Sequence, residues 1–357
     1  MHGPAAEGPL IPGTVVRGRY KVVQVLDRGK LGAVYLVEDQ QSSGRRRALK
    51  EIWDLFTDPD DRAQAWQKFE REAQTLMGLY HPGLPRIEEY FSRQGRIYIV
   101  MEYLEGQTLD SILRQSFSFL PEEQVVDWAL QLCDVLDTLH SQEPPIIFSD
   151  LRPANIILDR KGRLKLLDFG FTYLFDPARL TNVLKAGTVG YAPPEQYAGP
   201  EYTGPWSDIY ALGITLHELL TRYDPTSHPF VLPPPRKLNP AISHRLSDII
   251  VKATELDASR RYRTIMEMER ALLALQAKEE RLWLIFAVSV AGLILAGLLV
   301  WGLRGRGPSL DLPPATSTPS PTLTITSTPS PTPTPTLTPR LKVAPTITPT
   351  VTPTRQS

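Results

Sequence analysis

The residues best suited to chemistry are concentrated between Ile147 and Gly170, in the stretch IFSDLRPANIILDRKGRLKLLDFG. The carboxylate of Asp150 is followed five positions later by the carboxamide of Asn155, and then by a second carboxylate, Asp168. Carboxylate and carboxamide oxygens are ligands that Mg²⁺ accepts, and a carboxylate can also take a proton from a hydroxyl group. Together, these three side chains could hold metal ions and a hydroxyl nucleophile.

In order and spacing, this stretch resembles the catalytic loop and the Asp-Phe-Gly metal-binding motif of the protein kinase family, including the short turn between them. The resemblance implies that Asp150 accepts the proton of a substrate hydroxyl. It implies that Asn155 and Asp168 bind Mg²⁺ or Mn²⁺, and that ATP is the phosphate donor. Lys50, at the end of a predicted strand, would orient the phosphates of ATP.

Upstream of this lysine lies the place where a kinase carries its glycine-rich loop. The segment Arg19 to Val25 alternates apolar and polar residues and predicts a strand, which leads into LDRGKLGAVY. Gly29 and Gly32 match the second and third glycines of the kinase loop, where backbone amides must approach phosphate oxygens. Asp27 replaces the first glycine, and its negative charge is unfavourable beside a triphosphate.

A helix is predicted over Asp61 to Leu79, where apolar residues recur on one face. Kinases pair the strand lysine with a glutamate of this helix, because a buried ammonium group needs a carboxylate partner. By the resemblance, Glu72 is the partner of Lys50. The neighbouring Glu70 is the alternative.

The sequence from Tyr98 to Leu104, YIVMEYL, resembles the hinge between the two kinase lobes. The resemblance implies that Met101 is the gatekeeper beside the adenine ring. It also implies that the backbone of Glu102 and Leu104 hydrogen-bonds adenine. Three aliphatic side chains would close on the two faces of the base: Val34, Ala48 and Ile157.

Beyond the hinge, the sequence predicts helices in place of strands, over Thr108 to Leu113 and Glu122 to His140. The resemblance also implies two structural contacts. Glu195 would form an ion pair with Arg261, and Asp208 would support the catalytic loop from below.

The pattern as a whole predicts an α+β, bilobal protein kinase fold. A small amino-terminal lobe would combine an antiparallel sheet with one main helix, and a larger carboxy-terminal lobe would be mostly helical. The predicted order is a flexible start (1–18), the kinase domain (19–275), a juxtamembrane segment (276–281), a transmembrane helix (282–303) and a Pro/Thr-rich tail (304–357).

The transmembrane prediction rests on Leu282 to Leu303, which contains no charged residue and is flanked by Arg281 and Arg304. About twenty apolar residues are enough to span a bilayer. From Pro308 to Thr354 the chain is dominated by Pro and Thr, which predicts an extended, disordered tail. Such a tail is either a passive spacer or an O-glycosylated stalk, and both interpretations remain open.

Charge and cysteine usage limit the choice of partners and compartment. The chain has 39 Lys and Arg against 39 Asp and Glu, which gives no argument for nucleic acid binding. The single cysteine, Cys133, excludes an internal disulfide and suits a reducing compartment. It is predicted to be a buried thiol on a helix. The beginning of the chain has no secretory signal pattern, so we expect the kinase domain in the cytoplasm, where ATP is, and the tail outside the cell membrane.

Three residues of the active site depart from the family pattern. Phe148 and Ser149 replace the usual His-Arg before Asp150. Phe148 can join an apolar stack of side chains. In the kinase family the missing arginine pairs with a phosphorylated activation segment, so control of activity by phosphorylation at Thr181 would be weak or would use other contacts. Arg152 takes the place of the usual lysine and keeps the positive charge near the transferred phosphate.

The favoured interpretation is a single-pass membrane protein kinase that phosphorylates Ser and Thr residues of proteins, resembling the bacterial eukaryotic-like kinases. A homodimer would be a further partner if the chain phosphorylates itself. The alternatives are a pseudokinase scaffold, motivated by Asp27, Ser149 and Arg152, and a surface stalk whose tail is the functional part. Retention of every predicted metal-binding and proton-accepting residue favours the active enzyme.

Overall fold

The computed structural model describes residues 8–29, 32–53, 59–167, 188–199 and 202–276, together with residues 292, 293 and 296. Asp168 and Thr181 lie outside the described residues, as does most of the predicted membrane span 282–303. In the part of the chain that is described, no helix is both long and apolar enough to cross a bilayer.

An antiparallel sheet with one long helix forms the amino-terminal lobe of the described chain. Its strands pair in the order β1-β2-β3-β4-β6-β5. They are β1 (Val15–Val16), β2 (Tyr20–Gly29), β3 (Gly32–Asp39), β4 (Arg45–Trp53), β5 (Ile87–Arg93) and β6 (Arg96–Glu102). Helix α1 (Pro59–Gly78) packs on the sheet, since Phe69 and Ala73 share a core with Ile52 and Ile99. This lobe is as predicted from the sequence.

The two faces of this sheet have different neighbours, because side chains alternate along each strand. Cross-strand pairing places Val34 beside Lys50, and Ala48 beside Met101, so these four side chains share one face. Ile99, which pairs with Lys50, belongs to the core shared with α1 and the carboxy-terminal helices. The face that carries Lys50 is therefore directed toward the other lobe.

The carboxy-terminal lobe is mostly helical and adds a small sheet of three strands in the described residues. These strands are β7 (Gly106–Thr108), β8 (Ile156–Asp159) and β9 (Leu164–Leu166), in that order. The helices are α2 (Leu109–Gln115), α3 (Glu122–His140), α4 (Pro194–Ala198), α5 (Pro205–Thr221), α6 (Pro235–Leu238), α7 (His244–Ala253) and α8 (265–276). Helix α5 is buried along nearly its whole length and contacts α3, α6 and α7, so it is the central helix of the lobe.

The segment before β2 differs from the flexible start expected from the sequence. Residues 8–18 are described, and they lie against the sheet: Val16 is buried and Leu10 packs on the same core cluster. The amide of Gly13 donates to the carbonyl of Val22 at 2.8 Å, and the amide of Leu10 donates to the hydroxyl of Tyr35 at 2.8 Å. Apolar burial and these hydrogen bonds explain why this segment is held.

A buried polar cluster lies on the sheet face opposite Lys50, centred on Glu51. The carboxylate of Glu51 is fully buried and accepts hydrogen bonds from the hydroxyls of Tyr35 and Tyr98, at 2.6 and 2.8 Å. Arg96 donates to the same carboxylate at 2.6 Å and to the carbonyl of Gly8 at 3.2 Å. A buried carboxylate is tolerated here because each of its contacts is a donor, one of them charged.

Cys133 is buried on α3, as predicted. Its removal from water raises the pKa of the thiol, so the reactive thiolate is scarce in the folded protein. We expect the native chain to resist a thiol-reactive disulfide reagent at mildly alkaline pH, and the urea-unfolded chain to react completely. Equal reaction rates before and after unfolding would contradict the buried position.

Candidate active site

The loop that carries Asp150 is held in place from below by Asp208 of α5. The carboxylate of Asp208 is fully buried and accepts hydrogen bonds from the backbone amides of Phe148 and Ser149, at 2.9 and 2.8 Å. It also lies 2.8 Å from Nε2 of His140 on α3. Three elements thus meet at one carboxylate, and the predicted support of the catalytic loop by Asp208 is confirmed.

Ser149 adopts a left-handed backbone conformation, with φ of 67°, that residues other than glycine rarely adopt. Its amide is held by Asp208, and its carbonyl accepts a hydrogen bond from Nε2 of Gln196 at 2.9 Å. Fixing a residue in this region costs of order 1 kcal/mol, which these two contacts offset. The left-handed turn sets the direction of the next residue, Asp150.

Both carboxylate oxygens of Asp150 have fixed partners. Oδ1 accepts from the hydroxyl and the amide of Thr188, at 2.7 and 3.2 Å. Oδ2 accepts from Nδ2 of Asn155 at 2.8 Å, and Nε of Arg152 lies 3.6 Å away. The side chain of Asp150 nevertheless stays 29% exposed, which leaves it accessible to a substrate group.

The arrangement around Asn155 suits a metal ligand. Its Nδ2 donates both to the carbonyl and to Oδ2 of Asp150, at 2.9 and 2.8 Å. With the amide nitrogen turned toward Asp150, the amide oxygen Oδ1 points away from it, and Mg²⁺ prefers such oxygen ligands. The residues present therefore fit a metal at this position. Asp168, predicted as the second ligand, lies outside the described residues.

The predicted ion pair of Lys50 falls partly outside what the structure describes. Lys50 is buried on β4, on the sheet face directed toward the other lobe. Residue 72 lies within α1, but its side chain is outside the described part, and the pairing of Lys50 with Glu72 stays a prediction. The rival residue, Glu70, is only partly buried.

The residues predicted to surround adenine lie on the expected elements. Val34, Ala48 and Met101 share a sheet face, and Ile157 lies on β8 in the carboxy-terminal lobe. Glu102 ends β6, and its amide donates to the carbonyl of Arg86 at 2.9 Å. Any adenine contact from Glu102 would therefore use its carbonyl oxygen. Leu104, two residues further on, is partly buried.

The two glycines of the predicted phosphate loop have different structural settings. A Cβ atom at Gly32 would overlap the carbonyl oxygen of Glu51, so glycine is required there by the close approach of β3 to β4. A Cβ atom at Gly29 would meet no atom closer than 3.9 Å. The sequence signal at Gly32 thus has a packing reason that is independent of any phosphate.

The predicted ion pair between Glu195 and Arg261 is confirmed. The two guanidinium nitrogens of Arg261 donate to the two oxygens of Glu195, at 2.6 and 3.0 Å. Arg261 is fully buried and also donates to the carbonyls of Glu255, Trp206 and Leu256. This pair ties the segment after Thr188 to the end of the carboxy-terminal lobe.

Two contacts of the segment after residue 187 were missed by sequence reasoning. One is the hydrogen bond from Thr188 to Asp150, for which the neighbouring Gly187-Thr188 sequence was the available signal. The other is a partly buried pair in which the hydroxyl of Tyr191 donates to Glu218 of α5. No spacing rule connects Tyr191 to Glu218, because they meet only when α5 packs under the segment.

Glu218 should make the stability of the fold depend on pH. Burial, together with the carboxylates of Asp110 and Asp224, raises the pKa of Glu218 from 4.5 to about 7, against the opposing effects of Tyr191 and Arg114. Between these values the folded state keeps a proton that the unfolded state has released. The free energy of unfolding therefore falls as pH rises through this range, by about 3 kcal/mol from this group.

In the variant Glu218→Gln the side chain at this position cannot ionise, so this contribution to the pH dependence of the free energy of unfolding should be lost. We expect the free energy of unfolding of the parent, relative to Glu218→Gln, to fall as pH rises from 4.5 to about 7 and then to level off. Urea unfolding at several pH values measures it. Glu123→Gln, at an exposed position on α3, is the matched control. Parallel profiles for the parent and Glu218→Gln would contradict the raised pKa.

Comparison with known proteins agrees with this geometry. The model of a family described as "Protein kinase domain" matches residues 20–268. The chain is 32% identical over 268 residues to the probable serine/threonine-protein kinase PknB of Lactococcus lactis, covering 72% of this chain and 42% of that protein. It is 32% identical over 274 residues to the serine/threonine-protein kinase PrkC of Bacillus subtilis, covering 73% and 41%. The chain thus spans less than half the length of these relatives.

Solved structures share the same fold. The apo form of PpkA-294 superposes with a TM-score of 0.62 at 26% identity, covering 74% of this chain and 99% of that one. A double mutant of the Mycobacterium tuberculosis PknI kinase domain superposes with a TM-score of 0.60 at 25% identity, covering 74% and 98%. This chain therefore shares its overall bilobal architecture with these solved structures.

Proposed function

The chain belongs to the protein kinase family, and from that premise we propose that it transfers the γ-phosphate of ATP to Ser and Thr hydroxyls of proteins. The observation that carries the proposal is the setting of Asp150. Its carboxylate is partly exposed, and both of its oxygens are fixed in direction by Thr188 and Asn155. A carboxylate that is oriented but not shielded is suited to accept a proton from a hydroxyl group.

Different residues of this chain would accept the proton, orient the phosphates and bind the metal during phosphoryl transfer. A substrate hydroxyl beside Asp150 would pass its proton to a carboxylate oxygen of Asp150. At the same time the hydroxyl oxygen would attack the γ-phosphorus, and the bond between the γ-phosphorus and the bridging oxygen of the β-phosphate would break. Arg152, beside that carboxylate, brings a positive charge near the transferred group. Lys50 would orient the phosphates from the sheet. Mg²⁺ bound at Asn155 and Asp168 would supply charge neutralisation on the phosphate oxygens.

The choice of Ser and Thr over Tyr is supported by two observations. The relatives at 32% identity are named serine/threonine-protein kinases. In addition, the Gly187-Thr188 sequence resembles that of serine/threonine kinases, and the hydroxyl of Thr188 donates to Asp150. The substitution of lysine by Arg152, which also occurs in some tyrosine kinases, is the feature that makes the choice worth testing.

The test is transfer of labelled phosphate from ATP, with Mg²⁺, by the purified full chain to itself and to generic protein substrates. We expect label on Ser or Thr by phosphoamino-acid analysis, and no transfer by Asp168→Asn. Asp248→Asn, which neutralises an exposed carboxylate on α7, is the control and should remain active. If the chain is folded and binds ATP but transfers no phosphate, the pseudokinase scaffold replaces the enzyme. Mixing active chain with Asp168→Asn also tests whether one copy phosphorylates another.

We further propose that the segment Leu282 to Leu303 anchors the protein in the cell membrane, with the kinase domain in the cytoplasm. The absence of charged residues from this segment and its flanking arginines support the anchor. The need for ATP supports a cytoplasmic kinase domain. We expect the full chain to resist alkaline extraction from membranes and a variant with two central leucines replaced by arginines to be released. Protease added to intact cells should cut the Pro/Thr-rich tail but leave the kinase domain whole. Cleavage of the domain instead would reverse the proposed orientation.

A further inference from the structure

A concave basic surface, here called the basic cavity, lies where three segments of the described chain meet. The segments are the start of β4, the residues that follow β6, and the turn between β8 and β9. The volume of this open cavity is about 480 Å³. It is lined by six cationic side chains: Arg45, Arg46, Arg160, Lys161, Arg163 and Lys165.

Among the described residues, only three carboxylates line the same cavity, so its positive charge is not balanced there. Glu105 is shared between Arg46 and Arg160, at 4.0 and 3.5 Å. Arg163 pairs with Asp159 at 3.3 Å, and Lys165 contacts both oxygens of Glu102 at 2.9 Å. Each carboxylate in the cavity is therefore already engaged.

Two of the six cationic side chains that line the basic cavity take part in none of these ion pairs. Within the described residues, neither Arg45 nor Lys161 has a carboxylate within ion-pair distance, and both are exposed. The pairs of Arg46 and Arg160 with Glu105 are long and solvent-exposed, and such pairs contribute little stability. The surface can therefore accept further negative charge without first breaking a strong contact.

We propose that the basic cavity binds a phosphate-bearing ligand with at least two negative charges, at a site separate from the predicted ATP cleft. Four of its six cations are arginines, whose planar groups match phosphate oxygens in pairs. The volume exceeds what a single phosphate fills and lies within the range of small-ligand sites. Neither Lys50 nor Asp150 lines the cavity.

The shape of the surface favours a discrete ligand over a lipid bilayer. A membrane surface is broad and flat, whereas these cations line a concave volume of about 480 Å³. Glu102 and Leu104, whose backbone is predicted to contact adenine, also border the cavity. A test must therefore separate the basic cavity from the ATP cleft.

The first measurement is calorimetric titration of the purified full chain with inorganic pyrophosphate in metal-free buffer, at low and at physiological salt. We expect saturable binding of one pyrophosphate that weakens as salt is raised. The double variant Arg45→Gln/Lys161→Gln should weaken binding by roughly tenfold or more, since it removes the two unpaired charges. Lys50→Met, which alters the ATP cleft, should leave the affinity unchanged.

The matched control is Arg245→Gln/Arg270→Gln, which removes two exposed charges that do not line the cavity. Equal weakening by the control, loss of binding in Lys50→Met, or no saturable binding would overturn the proposal. So would binding of anionic phospholipid vesicles that depends on Arg45 and Lys161 when pyrophosphate does not bind. A phosphoserine peptide that binds more tightly than pyrophosphate would identify a protein partner as the source of the phosphate. The reverse order would identify a free phosphate ligand.

Discussion

Replacement of Asp150 by Asn is expected to lower kcat for phosphate transfer about a thousandfold, in the range typical of losing a general base. The carboxamide cannot accept the hydroxyl proton. It also cannot satisfy both of its neighbours, because Oδ1 faces the backbone amide of Thr188 and Oδ2 faces the amide nitrogen of Asn155, and both of these groups can only donate. Whichever way the new side chain turns, its own NH₂ group meets a donor from one side.

Steady-state kinetics with a protein substrate, together with a nucleotide-binding measurement, checks this prediction. ATP affinity should change far less than kcat, since Asp150 is expected to act on the substrate hydroxyl. Thr188→Ser, which keeps the hydroxyl that donates to Asp150, should remain much more active than Asp150→Asn. Retention of activity in Asp150→Asn would show that transfer does not depend on this carboxylate. A large loss in Thr188→Ser would show that the effect of Asp150→Asn is not specific to it.

Replacement of Arg261 by Met is expected to lower the free energy of unfolding by about 3–5 kcal/mol, the usual cost of removing one partner from a buried ion pair. The variant leaves Glu195, whose side chain is 13% exposed, without its bidentate partner. It also removes the donors to three backbone carbonyls near Trp206 and Glu255. The apolar part of the side chain is retained, so the loss reports mainly on polar contacts.

The neighbouring residue supplies the control for this prediction. Arg260 pairs with Asp257 at 3.7 Å and is 72% exposed, so Arg260→Met should cost well under about 1 kcal/mol in urea unfolding. In a double-mutant cycle, Arg261→Met with Glu195→Gln should be less destabilising than the sum of the two changes, because no buried charge is left alone. Additive losses would mean that the two side chains do not act as a pair.

The sequence was sufficient for features that depend on local spacing or on a motif. Asp150 and Asn155, which the motif places five positions apart, lie side by side, and the strand from Tyr20 and the helices from Pro59 and Glu122 occur where the apolar periodicity predicted them. The contacts of Asp208 with the catalytic loop and of Glu195 with Arg261 followed from resemblance to a family. The roles assigned to the nucleotide-binding residues stay predictions, since their positions are consistent with binding but do not demonstrate it.

Features that depend on tertiary packing could not be predicted in the same way. In the sequence, Glu51 is an ordinary charged residue beside Lys50. Because side chains alternate along a strand, however, its carboxylate lies on the sheet face opposite Lys50, where the hydroxyl of Tyr98 donates to it. The basic cavity combines residues more than a hundred positions apart, from Arg45 to Lys165. Such groupings carry no periodic signal, because they form only after the sheets and loops have packed.

The contacts of residues 8–16 have a practical consequence for protein production. A fragment beginning at Tyr20, where the family match starts, would lack the amide of Leu10 and the carbonyl of Gly8. The hydroxyl of Tyr35 and the guanidinium of Arg96 would then each lose a partner at the edge of the cluster around Glu51. An expression boundary placed before Gly8 keeps this cluster closed.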